Sequence, residues 1–193
     1  VRVRVQQRVA LYFIIINISS AAGPAHAFTV EHRDTRYVDK QYQCELTVTI
    51  DAPLDRVEAV LRDYEQYPEL DPRILQAHVL ERPEANVAML QTTLRACFGP
   101  FCRNVNRIER VEESPGVLAA TTDATRSDVK FGETRTALER IDSGSTRVTY
   151  RTTIMPGFWI PAFAGRRWML RTLEDASSNL FMNVEAKARV EAE

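Results

Sequence analysis

The sequence predicts an α+β domain in which one curved antiparallel sheet lies against a single long helix at the C-terminal end. Three observations carry this. Beyond Pro161 there is no further proline and Gly165 is the only glycine, so about thirty residues can run as one helix. Met169, Leu173, Ala176, Leu180 and Val184 recur along it at steps of three and four, which puts them on one face. Upstream, apolar residues recur at every second position, as in strands, and Asp142-Ser143-Gly144-Ser145 is a hairpin turn between two such runs. An amphipathic helix that closes a run of strands needs a sheet to bury its face.

Taken in order, residues 28–36 are polar and form an N-terminal extension without an assigned element, and the domain runs from 37 to 193. From Tyr37 to Ile50 the chain alternates, with Tyr42, Cys44, Leu46, Val48 and Ile50 on one face. Asp51-Ala52-Pro53 ends this strand and opens a short helix, with Asp51 as its cap and Val57, Val60 and Leu61 as its apolar face. Residues 63–67 make a second helical turn, cut by Pro68 and Pro72. Strands follow at Ile74 to Arg82, Val87 to Cys97, Phe101 to Val111, Val117 to Thr121, Phe131 to Ile141 and Thr146 to Met155. Pro83 to Asn86 forms the turn after the first of these, and Thr122 to Lys130 a polar loop. Seven strands, two short helices and one long helix are expected.

The hairpin 87–111 raises the first functional question. Cys97-Phe98-Gly99-Pro100-Phe101-Cys102 has a Gly-Pro turn that allows the two cysteines to face each other across a hairpin end, either as a disulfide or as two free thiols. In that register Leu94 faces Val105, Thr92 faces Arg107 and Leu90 faces Glu109. The other side, with Thr93, Arg95, Asn104 and Asn106, is the more polar and belongs to water. Arg103, Arg107 and Glu109 are thereby sent inward, where charges survive only if paired or solvated. A bulge that reverses the register, or a wet cavity, resolves the conflict. Cys44 keeps step with the apolar face of its strand and is a buried free thiol.

Residues 1–27 stand apart from the domain. Arg2, Arg4 and Arg8 precede the apolar run Val9 to Ile18, and Ala25-His26-Ala27 follows with small residues. This is the pattern of a secretory leader cleaved after Ala27, against the alternative of a buried N-terminal strand. The apolar run is too short to cross a bilayer core, which needs about 20 residues. An exported, periplasmic or secreted, product is expected. Val rather than Met at position 1 reads as a literally translated non-AUG start in a bacterial gene, or as a truncated gene. Without the three leader arginines the chain has 22 basic and 26 acidic side chains, a net charge of −4. A nucleic-acid partner is therefore not expected.

Catalytic and metal motifs are sparse. His32 and His78 have no metal-ligand spacing with Cys or carboxylates, and there is neither a phosphate-binding Gly-rich loop nor a Gly-x-Ser-x-Gly turn. No catalytic residue, metal or cofactor is expected. Asp123 and Asp128 read as a solvated face. Arg107 with Glu109 reads either as a holder for a polar ligand head or as a structural ion pair. Tyr150 reads as a hydrogen-bond donor to a ligand or as a packed core residue.

The order of elements, with Ile50-Asp51-Ala52-Pro53-Leu54-Asp55-Arg56-Val57, Asp63-Tyr64-Glu65-Gln66-Tyr67-Pro68, Gly144 to Tyr150 and Pro156 to Pro161, resembles the START-like helix-grip superfamily. The likeness is to its polyketide cyclase/dehydrase and coenzyme-Q-binding branch, and it spans roughly Tyr37 to Val190. It implies a seven-stranded sheet gripping the last helix around an apolar cavity. It does not imply one function, because the fold hosts lipid carriers, hormone receptors and cyclases. With the exported address and the lack of catalytic clusters, a monomeric, non-catalytic binding or transfer protein for a lipid or other hydrophobic small molecule is expected. The alternative it carries is a polyketide cyclase or dehydratase that uses a cavity Tyr or Arg. The ligand-binding residues expected are Leu94, Val105, Arg107, Tyr150, Met169, Leu173 and Leu180. Phe98, Phe101, Phe158 and Trp159 are expected to gate the cavity and to touch a membrane transiently. With a net charge of −4, that contact is expected to be hydrophobic and nearly independent of salt.

Overall fold

The computed structural model describes residues 28–98, 101–160 and 165–190, without the side chains of Phe98 and Phe101. Residues 1–27, with the expected leader and cleavage point, lie outside the described residues, as does the expected helix start at Pro161. The elements are β1 (Thr29–Val38), β2 (Gln41–Ile50), α1 (Leu54–Arg62), a 3-10 turn at Tyr64–Gln66, α2 (Tyr67–Leu70), β3 (Ile74–Glu84), β4 (Val87–Phe98), β5 (Phe101–Ser114), β6 (Val117–Thr122), β7 (Val129–Arg140), β8 (Thr146–Pro156) and α3 (Gly165–Val190).

All eight strands form one antiparallel sheet in the order β1-β2-β8-β7-β6-β5-β4-β3. The sheet thus has eight strands and not the seven expected. The additional strand is β1, made by the segment that shows no alternation. Its residues are mostly exposed on both faces, so burial does not pattern them. What makes it a strand is backbone pairing with the free edge of β2 through a two-residue turn at Asp39 and Lys40. Both turn residues are left-handed, with φ of 51° and 66°, as a tight hairpin that follows the sheet twist requires.

Two smaller corrections have equally local causes. Asp51 does not cap α1, whose N-cap position is Pro53 with no side-chain cap hydrogen bond. Its carboxylate instead pairs with Arg189 at 2.6 Å, and its backbone N–H donates to Glu185 Oε2 at 2.9 Å. Strand β3 runs on through Pro83, which an edge strand tolerates because no neighbour needs the missing N–H.

Leu46, Val48 and Ile50 of β2, Val148 of β8, and Val57, Val60 and Leu61 of α1 form the main core. Phe181, Val184 and Ala188 of α3 insert between them and are fully buried. The C-terminal half of α3 is thereby seated on the sheet.

Candidate functional site

The N-terminal half of α3 faces a hollow instead. Between it and strands β3, β4, β5, β7 and β8 lies a cavity of about 390 Å³. A smaller chamber of about 130 Å³ continues it inward, and the two share Ile74, Leu94, Arg107, Tyr150 and Leu180 as walls. Leu94, Val105, Arg107, Tyr150, Met169, Leu173 and Leu180 all line the larger space. The period-two and helical periodicities deliver these side chains from three strands and one helix to one volume.

The β4–β5 register contains no bulge. Leu94 pairs with Val105, Thr92 with Arg107, Leu90 with Glu109 and Cys97 with Cys102. Of the two resolutions open to the sequence, the cavity is therefore the one observed, and Arg107 and Glu109 face it. Arg107 Nη2 lies 2.8 Å from Glu109 Oε2, and the glutamate side chain is only 4% exposed. Three further polar atoms at this end are buried without a hydrogen-bond partner: Arg107 Nε, Glu109 Oε1 and Thr92 Oγ1. The ion pair cancels its own charge, yet one N–H donor, one carboxylate acceptor and one hydroxyl remain without a partner among the residues that wall the inner chamber. An unpaired buried polar group costs about 1–3 kcal/mol, so such a cluster invites a polar partner. Arg103, by contrast, is half-exposed at the outer end, 4.0 Å from Asp128 and with its guanidinium 4.5 Å from the Phe158 ring centre.

The tyrosines around the inner chamber are engaged as structure. Tyr67 Oη donates to Leu61 O at 2.8 Å, and Tyr64 Oη donates to Glu113 Oε1 at 2.8 Å. Glu113 also holds Arg62 and Arg82 at 3.3 and 3.0 Å, which closes the inner end. Tyr150 stacks edge-on against Phe181, 5.4 Å between centroids. Burial, more than any neighbouring charge, lifts the phenols of Tyr64, Tyr67 and Tyr150 above the ordinary tyrosine range and keeps them neutral. Burial likewise raises the Cys44 thiol, whose Sγ lies 3.7 Å from Ser177 Oγ.

At the outer end, Cys97 lines the cavity and its Sγ is bonded to that of Cys102 at 2.06 Å. Phe158 also lines this mouth, whereas Trp159 is 82% exposed. The side chains of Phe98 and Phe101 lie outside the described residues. The loop between β6 and β7 is laced to β5, with Asn106 N–H donating to Asp128 Oδ2 at 2.9 Å and Ile108 N–H donating to Ser127 Oγ at 2.9 Å. Asp123 caps its own turn by accepting from Thr125. No group of His, Cys, Asp and Glu among the described residues is arranged to hold a metal. No described helix is long and apolar enough to cross a membrane.

One rim feature has no sequence signal. Asp71 is buried and grips Arg73 bidentately, with Nε–Oδ1 and Nη2–Oδ2 both 2.8 Å, while Arg73 Nη1 reaches Thr172 O at 3.4 Å. It ties the chain after α2 to α3 beside the mouth. Only the juxtaposition of α3 with this segment gives the pair its partner.

The match of residues 41–185 to the family described as polyketide cyclase / dehydrase and lipid transport settles the kinship. The chain belongs to this family. No curated protein sequence matches it. Among solved structures, the Zhui aromatase/cyclase from Streptomyces sp. R1128 is similar at 17% identity and a TM-score of 0.66, covering 79% of this chain and 96% of that one. A STAR-related lipid transfer protein from Xanthomonas axonopodis is similar at 14% identity and a TM-score of 0.64, covering 85% and 99%. Human STARD10 is similar at 12% identity and a TM-score of 0.59, covering 83% and 76%. At these identities the likeness establishes the helix-grip fold and not a shared activity.

Proposed function

We propose that this family member is an exported, non-catalytic binding or transfer protein for a lipid or other hydrophobic small molecule. The observation that carries the reading is the two-chamber cavity: a mainly apolar outer volume that narrows onto the Arg107–Glu109–Thr92 cluster. Such a shape suits an elongated apolar body with a neutral polar head. A carboxylate head would meet Glu109, whereas a hydroxyl or carbonyl can accept from Arg107 Nε or Thr92, and a hydroxyl can donate to Glu109. The secretory pattern of residues 1–27, with cleavage after Ala27, supports a periplasmic or secreted address. Action as a monomer that meets a membrane transiently through the cavity mouth belongs to the same reading.

The second reading, a polyketide cyclase or dehydratase, draws on the family description and would use Tyr150 or Arg107 to steady an enolate. Against it, Arg107 is engaged with Glu109 at 2.8 Å, and the Tyr67 hydroxyl already donates to Leu61 O.

Mass spectrometry of organic extracts from the purified protein tests the proposal. A stoichiometric lipid or other hydrophobe is expected, and Leu173→Arg, which sets an unpaired charge in the outer chamber, should lower its occupancy while the fold persists. An empty wild-type protein that turns over polyketide analogues would replace binding with catalysis.

A further inference from the structure

The net charge of the chain conceals how charge is distributed around the cavity mouth. Arg95 lines the mouth and is exposed. Arg103 is half-exposed and stacks on Phe158, which lines the same opening. Lys130 is exposed, follows the mouth residue Val129, and packs beside Gly157. The two carboxylates nearby are already occupied. Asp71 is buried under Arg73, and Asp128 accepts from the Asn106 N–H at 2.9 Å with Arg103 alongside. With Arg73 included, four basic side chains face two carboxylates here, an excess of two positive charges on a chain that is acidic overall. Next to the mouth residue Phe158 in the chain stands Trp159, the most exposed large apolar side chain among the described residues at 82%.

We infer that the cavity mouth is a docking surface for a bilayer bearing anionic phospholipid headgroups, with Trp159 entering the interface and Arg95, Arg103 and Lys130 meeting the phosphates. Three features select this partner. An indole suits the headgroup boundary, where its ring is apolar and its N–H finds water. Flanking cations are each attracted by an anionic surface. And the patch lies beside the opening of an apolar cavity, so a bilayer seated there lets a hydrophobe pass without crossing water. The last point rests on the reading of the cavity as a ligand chamber; the first two do not. The salt-independent contact expected from whole-chain charge is replaced by a salt-dependent one, because only charges within about a Debye length of the membrane act on it.

Fluorescence of the purified chain carrying Trp168→Phe tests this, since Trp159 is then the only tryptophan. Adsorption through residues 9–18 alone would not move that signal. Vesicles of phosphatidylcholine with phosphatidylglycerol should blue-shift Trp159 at low salt, and the shift should reverse as salt is raised. Pure phosphatidylcholine should give little or no shift. Arg95→Gln and Arg103→Gln should each lower partitioning about fivefold, as the loss of one rim cation predicts. Arg135→Gln, on an exposed position of β7 away from the mouth, should leave it unchanged. An unmoved spectrum on anionic vesicles overturns the inference, and so does an equal, salt-insensitive shift on both vesicle types. Lipid extraction from the same preparation reads the cavity separately: bound lipid with no docking sinks this inference alone, and docking by an empty protein sinks only the carrier reading.

Discussion

The two halves of α3 carry one apolar face and meet two different environments. In the C-terminal half, Phe181, Val184 and Ala188 are fully buried against β2, β8 and α1. In the N-terminal half, Met169, Leu173 and Ala176 are half-buried and face the cavity. The polar contacts differ in the same sense. The C-terminal half is pinned to backbone groups by Glu185 to the Asp51 N–H, Arg189 to Asp51 O at 3.0 Å, and Asn183 to Leu70 O at 2.8 Å. The N-terminal half is held from its flanks, by Arg33 to Glu174 at 2.8 Å and by Arg73 to Thr172 O. A stiff rod seated firmly at one end can stand off a curved sheet at the other. The hollow is the result, and apolar side chains there trade packing for access.

Truncation on the two halves should expose the contrast most strongly. Phe181→Ala removes a fully buried ring and should cost about 3–5 kcal/mol, whereas Leu173→Ala, beside an existing void, should cost about 1 kcal/mol or less. Denaturant unfolding measures both, and equal losses would mean that the two halves are packed alike. Next in size is the buried charge that the hollow tolerates. Arg107→Met should destabilise by about 3 kcal/mol because Glu109 is left buried and unpaired, and adding Glu109→Met should recover most of the loss. If the double variant is as unstable as the single one, the pair is not what satisfies either charge. Smallest is the brace at the mouth. Replacing Cys97 and Cys102 by Ser should cost about 2 kcal/mol at most, since so short a loop has little closure entropy to lose. Thiol counting on the denatured, unreduced protein should find one free thiol, from Cys44; three would remove the brace from the comparison.

The sequence by itself determined which side of its strand or helix a residue takes wherever the periodicity is strict. Period two places Leu94, Val105, Arg107 and Tyr150 on one side of their strands, and steps of three and four place Met169, Leu173 and Leu180 on one side of α3. Pairing Cys97 with Cys102 made the β4–β5 register legible residue by residue, and the absence of a bulge in the structure selected it. Tertiary structure alone decided what those faces meet. Whether Arg107 and Glu109 sit in solvent, in a core or in a cavity depends on where α3 lies above them, which no local pattern encodes. The same holds for β1, whose strand state comes from the open edge of β2 and not from its own side chains. It holds again for Asp51, drawn from its capping role to Arg189, a residue 138 positions away. The rim of Arg95, Arg103 and Lys130 is assembled from three separate strands, and charge summed along a chain cannot reveal charge gathered in space. Hydrophobic periodicity tells a residue which way to face; only the packed fold supplies what is there.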